Sequence, residues 1–230
     1  MDNLEFEKKY KKSGFSSQRR YPNEALIRFL GRYYFSVPHK KRRQMRLLEV
    51  GCGSGANLWV IAKEGFDTYG VDNAPSSLPL CKQMLAAYGV KATLGVGTFR
   101  GLNYKSNFFD AVVDILTVEH TDIRGHHEAF AEIFRVLKPG GRFFSWHLGS
   151  KSANFTHGGG NKLDRYTVDN TPNTDVPYSN NGITCFLTVP LARRLLTSAG
   201  FVDIDIERVT RSYKKLKHEV EYFAISARKP

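Results

Sequence analysis

The run Leu47-Leu48-Glu49-Val50-Gly51-Cys52-Gly53-Ser54-Gly55 restricts this chain more than any other stretch. Apolar residues followed by glycines at alternate positions read as a short buried strand, a tight turn and then a helix. Glycine there lets the backbone turn sharply and approach a ligand that a side chain would hold off. Gly51, Gly53 and Ala56 satisfy the pattern G-x-G-x-x-G/A, and Asp72 lies about twenty residues on, where a dinucleotide site places its ribose acid. The turn alone therefore fits more than one kind of cofactor. Glu49 narrows the choice. It lies inside an apolar strand, two residues before the first glycine, so its carboxylate ends near the ligand. A diphosphate would be repelled there, whereas a ligand carrying an ammonium and a sulfonium would be favoured.

A chain of 230 residues, 41% hydrophobic and 24% charged, can bury the core of one α/β domain and still leave length for an arm or lid. Its net charge of +12 favours acidic partners, either nucleic acid, phosphorylated or carboxylated small molecules, or a membrane surface. A basic protein with no charged partner has the same composition. Residues Met1 to Glu7 are acidic and lack an apolar run, so no secretory leader is expected; no stretch approaches spanning length, and no membrane insertion is expected. Cys52, Cys81 and Cys185 are widely spaced and odd in number, which argues against a disulfide framework or a zinc site. No metal is expected, and a reduced cytoplasm is the simplest location. No sequence feature specifies an oligomeric state.

Residues 1–20 are rich in lysine, arginine and aromatics without a clear period. A helix is predicted from about Pro22, with Leu26, Phe29, Leu30 and Tyr33 on its apolar face. The basic linker from His39 to Arg43 reads as solvated charge, with a nucleic-acid contact as the alternative. From residue 47 strands and helices alternate, the pattern of a mainly parallel sheet with crossover helices. Predicted strands are Thr68–Val71, Ala92–Val96, Ala111–Leu116, Arg142–Trp146, Phe201–Glu207 and Tyr222–Ala227, with helices at about 56–64, 77–88, 125–137 and 189–199. Ser76 and Ser77 are candidate caps for the second of these, Thr188 for the last. Residues 149–182 lack any period and are rich in Gly, Asn, Ser, Thr and Asp, which suits a lid, a binding loop or disorder.

By this point the chain resembles the class I S-adenosylmethionine-dependent methyltransferases over roughly residues 45 to 227. Leu47 to Gly55 resembles that superfamily's first motif, and Gly70-Val71-Asp72 its acidic second motif. Phe109-Asp110-Ala111-Val112-Val113, ending at Val118-Glu119-His120, resembles the fourth-strand motif of the small-molecule branch. Arg135 to Gly141 resembles the turn before strand five, and Leu195 to Phe201 the last helix and entry to strand six. Five motifs in order are far more specific than any one of them. The resemblance implies a Rossmann-like α/β fold: a seven-stranded, mostly parallel sheet whose last strand is antiparallel, with helices on both faces. It implies an arm and helix over 1–45, which is a candidate lid, and a methyltransferase domain over 46–230 with an acceptor-side insertion at 149–187. The cofactor would be S-adenosylmethionine.

On this reading Glu49 and the turn Gly51, Cys52, Gly53 and Gly55 hold the methionine end, and Asp72, followed by Asn73, takes the ribose. Gly97-Thr98-Phe99 stands where the family often has an aspartate for the adenine; the Thr98 hydroxyl is a weaker acceptor. Ile115 and Leu116 should line the cofactor largely through backbone. His120, just past strand four on the carboxyl edge of the sheet, is the candidate base, or else a helix-end or supporting histidine. Glu119 could serve instead, or simply cap, and His147 at the end of strand five is the second choice. His126 and His127 are adjacent on a helix and cannot share one ligand face. Trp146, Tyr166 and Tyr178 could wall an acceptor pocket, with core packing the alternative for Trp146. In the arm, Phe15, Arg19, Arg20, Tyr21 and Asn23 could form a lid or grip an acidic acceptor.

The end of strand four, Asp114-Ile115-Leu116-Thr117, is not the acid/amide-Pro-Pro-aromatic box of enzymes that methylate base amines, and no Pro-Cys pair exists. The expected acceptor is therefore an O or N atom of a small molecule, with the basic surface leaning toward an acid, a sugar or a nucleotide-sugar. The alternatives are an RNA methyltransferase using residues 8–20 and 39–46, a non-catalytic cofactor-binding module, and a nicotinamide-dependent oxidoreductase.

Overall fold

The structure, a computed structural model, describes residues 5–12 and 14–230; Met1–Leu4 and Ser13 lie outside the described residues, and with them part of the leader reading and of the arm. Helix α1 covers Glu5–Lys12, where the sequence shows no period. Glu5 and Glu7 in its first turn and Lys9, Lys11 and Lys12 in its last suit the helix dipole, but so short a helix does not stand alone in water. Tertiary ties hold it. Glu7 accepts from the amide and hydroxyl of Ser76 at 3.0 and 2.7 Å, and Lys9 Nζ donates to Asn180 O at 2.8 Å and Asn181 Oδ1 at 2.6 Å.

Helix α2, Glu24–Tyr33, starts after Pro22 rather than at it, because the Asn23 side chain accepts from Ala25 N at 2.8 Å and caps the first turn. It buries Leu26, Phe29 and Leu30. The one-turn helix α3, His39–Arg42, differs from the solvated linker expected there. Arg42 is buried, donating to Phe35 O, Val37 O and the Glu64 carboxylate. Next come β1 (Arg46–Val50), α4 (Leu58–Lys63), β2 (Asp67–Asp72), α5 (Ser77–Ala87), β3 (Thr93–Val96), β4 (Phe109–Ile115), α6 (Ile123–Val136) and β5 (Leu137–Leu148). Neither Ser76 nor Ser77 caps α5 with its side chain: Ser76 is taken by Glu7, and Ser77 donates to Ala74 O. The chain closes with α7 (Ala153–Thr156), the short strands β6 (Thr167–Val168) and β7 (Thr184–Cys185), α8 (Val189–Ser198), β8 (Val202–Tyr213) and β9 (His218–Arg228).

The main sheet runs β3-β2-β1-β4-β5-β9-β8, with β1 to β5 parallel and β9 antiparallel to both of its neighbours. This is the seven-stranded arrangement that the sequence implies. On one face Leu48, Val50, Val112 and Phe143 pack against Phe130 and Ile133 of α6 and Leu191 and Leu195 of α8. On the other, Leu47, Ala111, Val113 and Phe144 pack against Leu26, Phe29 and Leu30 of α2. Removing this apolar area from water, at about 25 cal/mol per Å², is what holds the layers together. The last hairpin is longer than predicted: beyond Glu207, Arg208 to Tyr213 continue to pair with Phe223 to His218, while Asp205 and Glu207 reach back to Arg32 of α2 at 3.0 and 2.8 Å.

From β1 the chain winds to one side through β2 and β3, then crosses to β4 and β5 on the other. The carboxyl ends of β1 and β4 therefore flank a topological switch point, where open α/β sheets bind their ligands. Residues 149–187 are anchored rather than loose. Val168, Val176 and Phe186 are buried, and Leu187 N donates to Leu148 O at 3.0 Å. Among the described residues no helix is long and apolar enough to cross a membrane.

Candidate functional site

A cavity of about 270 Å³ opens at the carboxyl ends of β1, β2 and β4, under α1. Its floor is the glycine turn. Gly51 has φ +67°, and a Cβ there would lie 2.1 Å from Thr117 Cγ2; left-handed backbone and lack of space both require glycine. Thr117 is held in place by Asp114, whose Oδ1 accepts from the amides of Thr117 and Val118 at 3.0 Å each. That clamp bends the chain after β4 so tightly that Leu116 takes φ +56°, a strained conformation for leucine.

Glu49 is fully buried at the cavity wall. Its Oε1 accepts from Asn57 Nδ2 at 2.6 Å, while Oε2 has no hydrogen-bond partner among the described residues. Burial above all pushes its pKa up to about 8, against the weaker opposing pull of the Asn57 bond and the Arg19 charge. Asn57 is the junction. Its Oδ1 accepts from Arg19 Nη2 at 3.2 Å and from Asn23 N at 2.9 Å, so it ties the arm to the turn. At the end of β2, Asp72 Oδ2 accepts from Gly53 N at 2.7 Å and Oδ1 from Ala74 N at 2.8 Å. One lone pair on each oxygen is spent and the rest remain for a ligand.

The structure brings together Glu49, Gly51, Cys52, Gly53, Asp72, Asn73, Thr98, Phe99, Ile115 and Leu116 on the cavity wall, with His120 and Arg19. Gly55 stands off it: a Cβ there would strike Cys81 Sγ at 2.7 Å, so its role is close packing on α5. His120 Nδ1 lies 3.2 Å from Ile183 O, which can only accept, so the proton sits on Nδ1 and the lone pair on Nε2. Burial lowers its pKa to about 4, with the Lys9 charge adding to the effect. The Phe6 ring of α1 covers it at 4.8 Å between centroids.

Several residues singled out from the sequence are not on this wall. Glu119 is buried behind it, accepting from Leu148 N at 3.1 Å, and its carboxyl is pushed well up by burial. His147 is also fully buried, with Nε2 3.0 Å from His126 Nε2 and its pKa driven down by burial. Trp146 stacks on Tyr222 at 4.8 Å as part of the core. Tyr166 packs against the α6 side of the core, Tyr178 bonds with Tyr213 and Tyr222, and Tyr21 is 72% exposed. Phe15, Arg20 and Asn23 do not line the cavity, although Arg20 O accepts from Trp59 Nε1 at 2.8 Å and fastens the arm. Phe6, Tyr10, Gln18, Arg100, Thr117 and Thr121 also line the cavity, with Asn57, and none of them is among the site residues expected from the sequence. Asn57 had one signal, a polar residue at the entry to a buried helix; Phe6 and Tyr10 had none. Among the described residues no group of three metal-ligating side chains gathers.

Residues 48–145 match the family model described as Methyltransferase domain. The chain is similar to methyltransferase domains over that span. Its fold is shared with an S-adenosylmethionine-dependent methyltransferase from Methanosarcina mazei, at a TM-score of 0.67 and 19% identity over 80% of this chain and 92% of that one. It is shared as well with phosphoethanolamine N-methyltransferase 2 of Haemonchus contortus, solved with S-adenosyl-L-methionine, at a TM-score of 0.59 and 17% identity over 81% of this chain and 49% of that one. In sequence the chain is similar to sterol 24-C-methyltransferase of Yarrowia lipolytica, 28% identical over 85% of this chain and 49% of that protein. The chain spans about half the length of the curated relatives it matches. The cavity fits S-adenosylmethionine, the ligand of the Haemonchus contortus enzyme: on its wall a buried carboxylate oxygen without a partner among the described residues lies near an arginine.

Proposed function

We propose that the chain transfers a methyl group to an oxygen or nitrogen atom of a small polar acceptor, of acidic or sugar character, admitted between α1 and His120. The observation that carries this reading is the half-satisfied Glu49 carboxylate and the Arg19 guanidinium, both held by Asn57 on the cavity wall. An acid and a base so placed match the ammonium and carboxylate of an amino-acid tail. When bound, S-adenosylmethionine supplies a methyl group already activated by its sulfonium, so the protein's task is to align, to dry the site and to handle a proton. Glu49 Oε2 and Arg19 take the two ends of the tail. Asp72 accepts from the ribose hydroxyls, Thr98 and Phe99 bound the adenine, and Ile115 and Leu116 line the middle. His120 offers the Nε2 lone pair to the proton leaving the acceptor. Residues 5–12 and 14–45 form the arm and cover, with Phe6 and Tyr10 excluding water, and 46–230 the catalytic unit, whose insertion at 149–187 supports His120 through Ile183.

A second reading, a sterol acceptor methylated at carbon, is favoured by the similarity to the Yarrowia lipolytica enzyme. Against it, the wall carries Gln18, Arg19, Arg100, His120 and Thr121, polar groups that suit a hydroxylated or charged acceptor better than a fused hydrocarbon.

Thermal shift tests the cofactor and a transfer screen tests the acceptor. S-adenosylhomocysteine is expected to raise Tm and NADH to leave it unchanged; the reverse would overturn the reading. A labelled methyl group should then pass to a member of a panel of sugar acids and nucleotide-sugars. Transfer only to a sterol, only to RNA, or to nothing despite tight cofactor binding would each replace it.

A further inference from the structure

The turn joining β8 to β9 breaks a local rule that the cavity does not explain. Lys214, Lys215 and Leu216 have φ of 49, 57 and 68°. Three successive left-handed residues call for glycine or asparagine, and none is present. Such disagreement between side chain and backbone concentrates where a surface is used. The turn is held in this shape. Lys214 Nζ donates to Thr174 O at 3.0 Å and to Asp175 Oδ1 at 3.3 Å, His218 Nε2 lies 3.1 Å from Asp175 Oδ2, and Lys217 Nζ pairs with the same carboxylate oxygen. What the held turn presents is Leu216, 80% exposed, with Lys215 beside it making no ion pair among the described residues. In the same corner Tyr178, partly exposed, brings its hydroxyl to 3.5 Å from that of Tyr213.

We propose that this turn is a contact finger for an anionic lipid surface. Leu216 enters below the headgroups, Lys214, Lys215 and Lys217 meet the phosphates, and Tyr178 lies at the boundary. Three lysines against Asp175 and Glu219 still leave the tip positive, and a net charge of +12 draws the whole chain toward such a surface. RNA would use the lysines but gain nothing from a leucine held out by a strained backbone. An interfacial site uses both, with tyrosine at the polar margin. The turn does not line the cofactor cavity, so this inference stands apart from the methyl-transfer reading.

Co-sedimentation of the full chain with extruded vesicles tests it, comparing phosphatidylcholine alone with a mixture containing about 30% phosphatidylglycerol. Binding to the mixed vesicles should be at least about fivefold tighter, and Leu216→Gly should lower it about fivefold. Lys215→Glu should weaken it further and reduce its salt dependence. Both variants should keep their Tm or gain, and bind S-adenosylhomocysteine as before. The proposal is overturned if vesicles are not bound, if binding ignores phosphatidylglycerol, or if Leu216→Gly binds as well as the parent. It is equally overturned if a short RNA or an acidic peptide binds through Lys215, indifferent to Leu216, while vesicles are left alone.

Discussion

Asn57 Nδ2 donates to Glu49 Oε1 at 2.6 Å and leaves Oε2 of the same buried carboxylate without a partner among the described residues. Because Asn57 Oδ1 also takes Arg19 and the Asn23 amide, the bond orients the acid and fixes the arm together. A buried acceptor left unsatisfied costs about 1–3 kcal/mol, more when charged. The fold retains that cost at a cavity wall, where a cationic ligand can offset it.

Replacing Glu49 by glutamine keeps the Asn57 contact and removes the charge. A charged hydrogen bond is worth about 1.5–3 kcal/mol, so affinity for S-adenosylhomocysteine should fall about 10- to 100-fold by calorimetry. The unliganded variant should be at least as stable as the parent. Unchanged affinity would remove Glu49 from the ligand contacts.

The same carboxyl sets a pH dependence. Its folded pKa of about 8 lies above the ordinary value of 4.5, so the unliganded fold keeps a proton that the unfolded chain releases. Its contribution to stability is full below pH 4.5 and falls as pH rises toward about 8. The stability of the parent should therefore fall relative to that of Glu49→Gln over that window. An ammonium favours the ionised form, so cofactor binding should release a proton and tighten as pH rises to about 8. Calorimetry at pH 7 in buffers of different ionisation enthalpy reads that proton directly.

The sheet and the turn were legible because they follow from periodicity and glycine chemistry. Glu49 and Asp72 stood out as acids where a strand is otherwise apolar or ends. Phe6 and Tyr10 were not legible: their helix is charged, short and held by ties from Glu7 to Ser76 and from Lys9 to Asn180, both distant in sequence. Trp146 and His147 share the right sheet edge with His120 but are enclosed by β9 and α6, and no local pattern reveals which residues at an edge are covered.

Arg19 is read as the partner of a carboxylate, and a ligand lacking that group separates this from a structural role. Arg19→Gln should weaken S-adenosylhomocysteine binding about tenfold, in line with a lost charge-assisted bond. Binding of methylthioadenosine, which has no amino-acid tail, should change less than about twofold. An equal loss for both would mean that Arg19 acts only by tethering the arm through Asn57.

The turn at Leu216 carries a stability prediction of its own. Glycine adopts φ 68° without a Cβ penalty, so Leu216→Gly should stabilise the fold by about 1 kcal/mol, less the entropy glycine returns to the unfolded chain. A chemical denaturation midpoint that moves up with an unchanged slope is the expected result. The same substitution at the buried Leu195 of α8 should instead cost several kcal/mol, about 2–5 for lost packing alone.

His120 is the last test, because its position and its proton affinity pull in different directions. Burial holds it neutral, with a pKa of about 4, so its Nε2 lone pair is available throughout the physiological range. A base this weak can assist only while the acceptor's proton is being acidified by bond formation to the methyl group. His120→Gln preserves the size of the side chain and can still donate to Ile183 O, but it offers no basic lone pair. It should lower kcat about 10²- to 10³-fold while leaving S-adenosylhomocysteine affinity within about twofold. Between pH 5 and 8 the parent's kcat should show no limb that the variant lacks, since His120 does not change charge there. Full activity in His120→Gln would mean that the acceptor loses its proton to water, and that His120 only shapes the wall beneath Phe6.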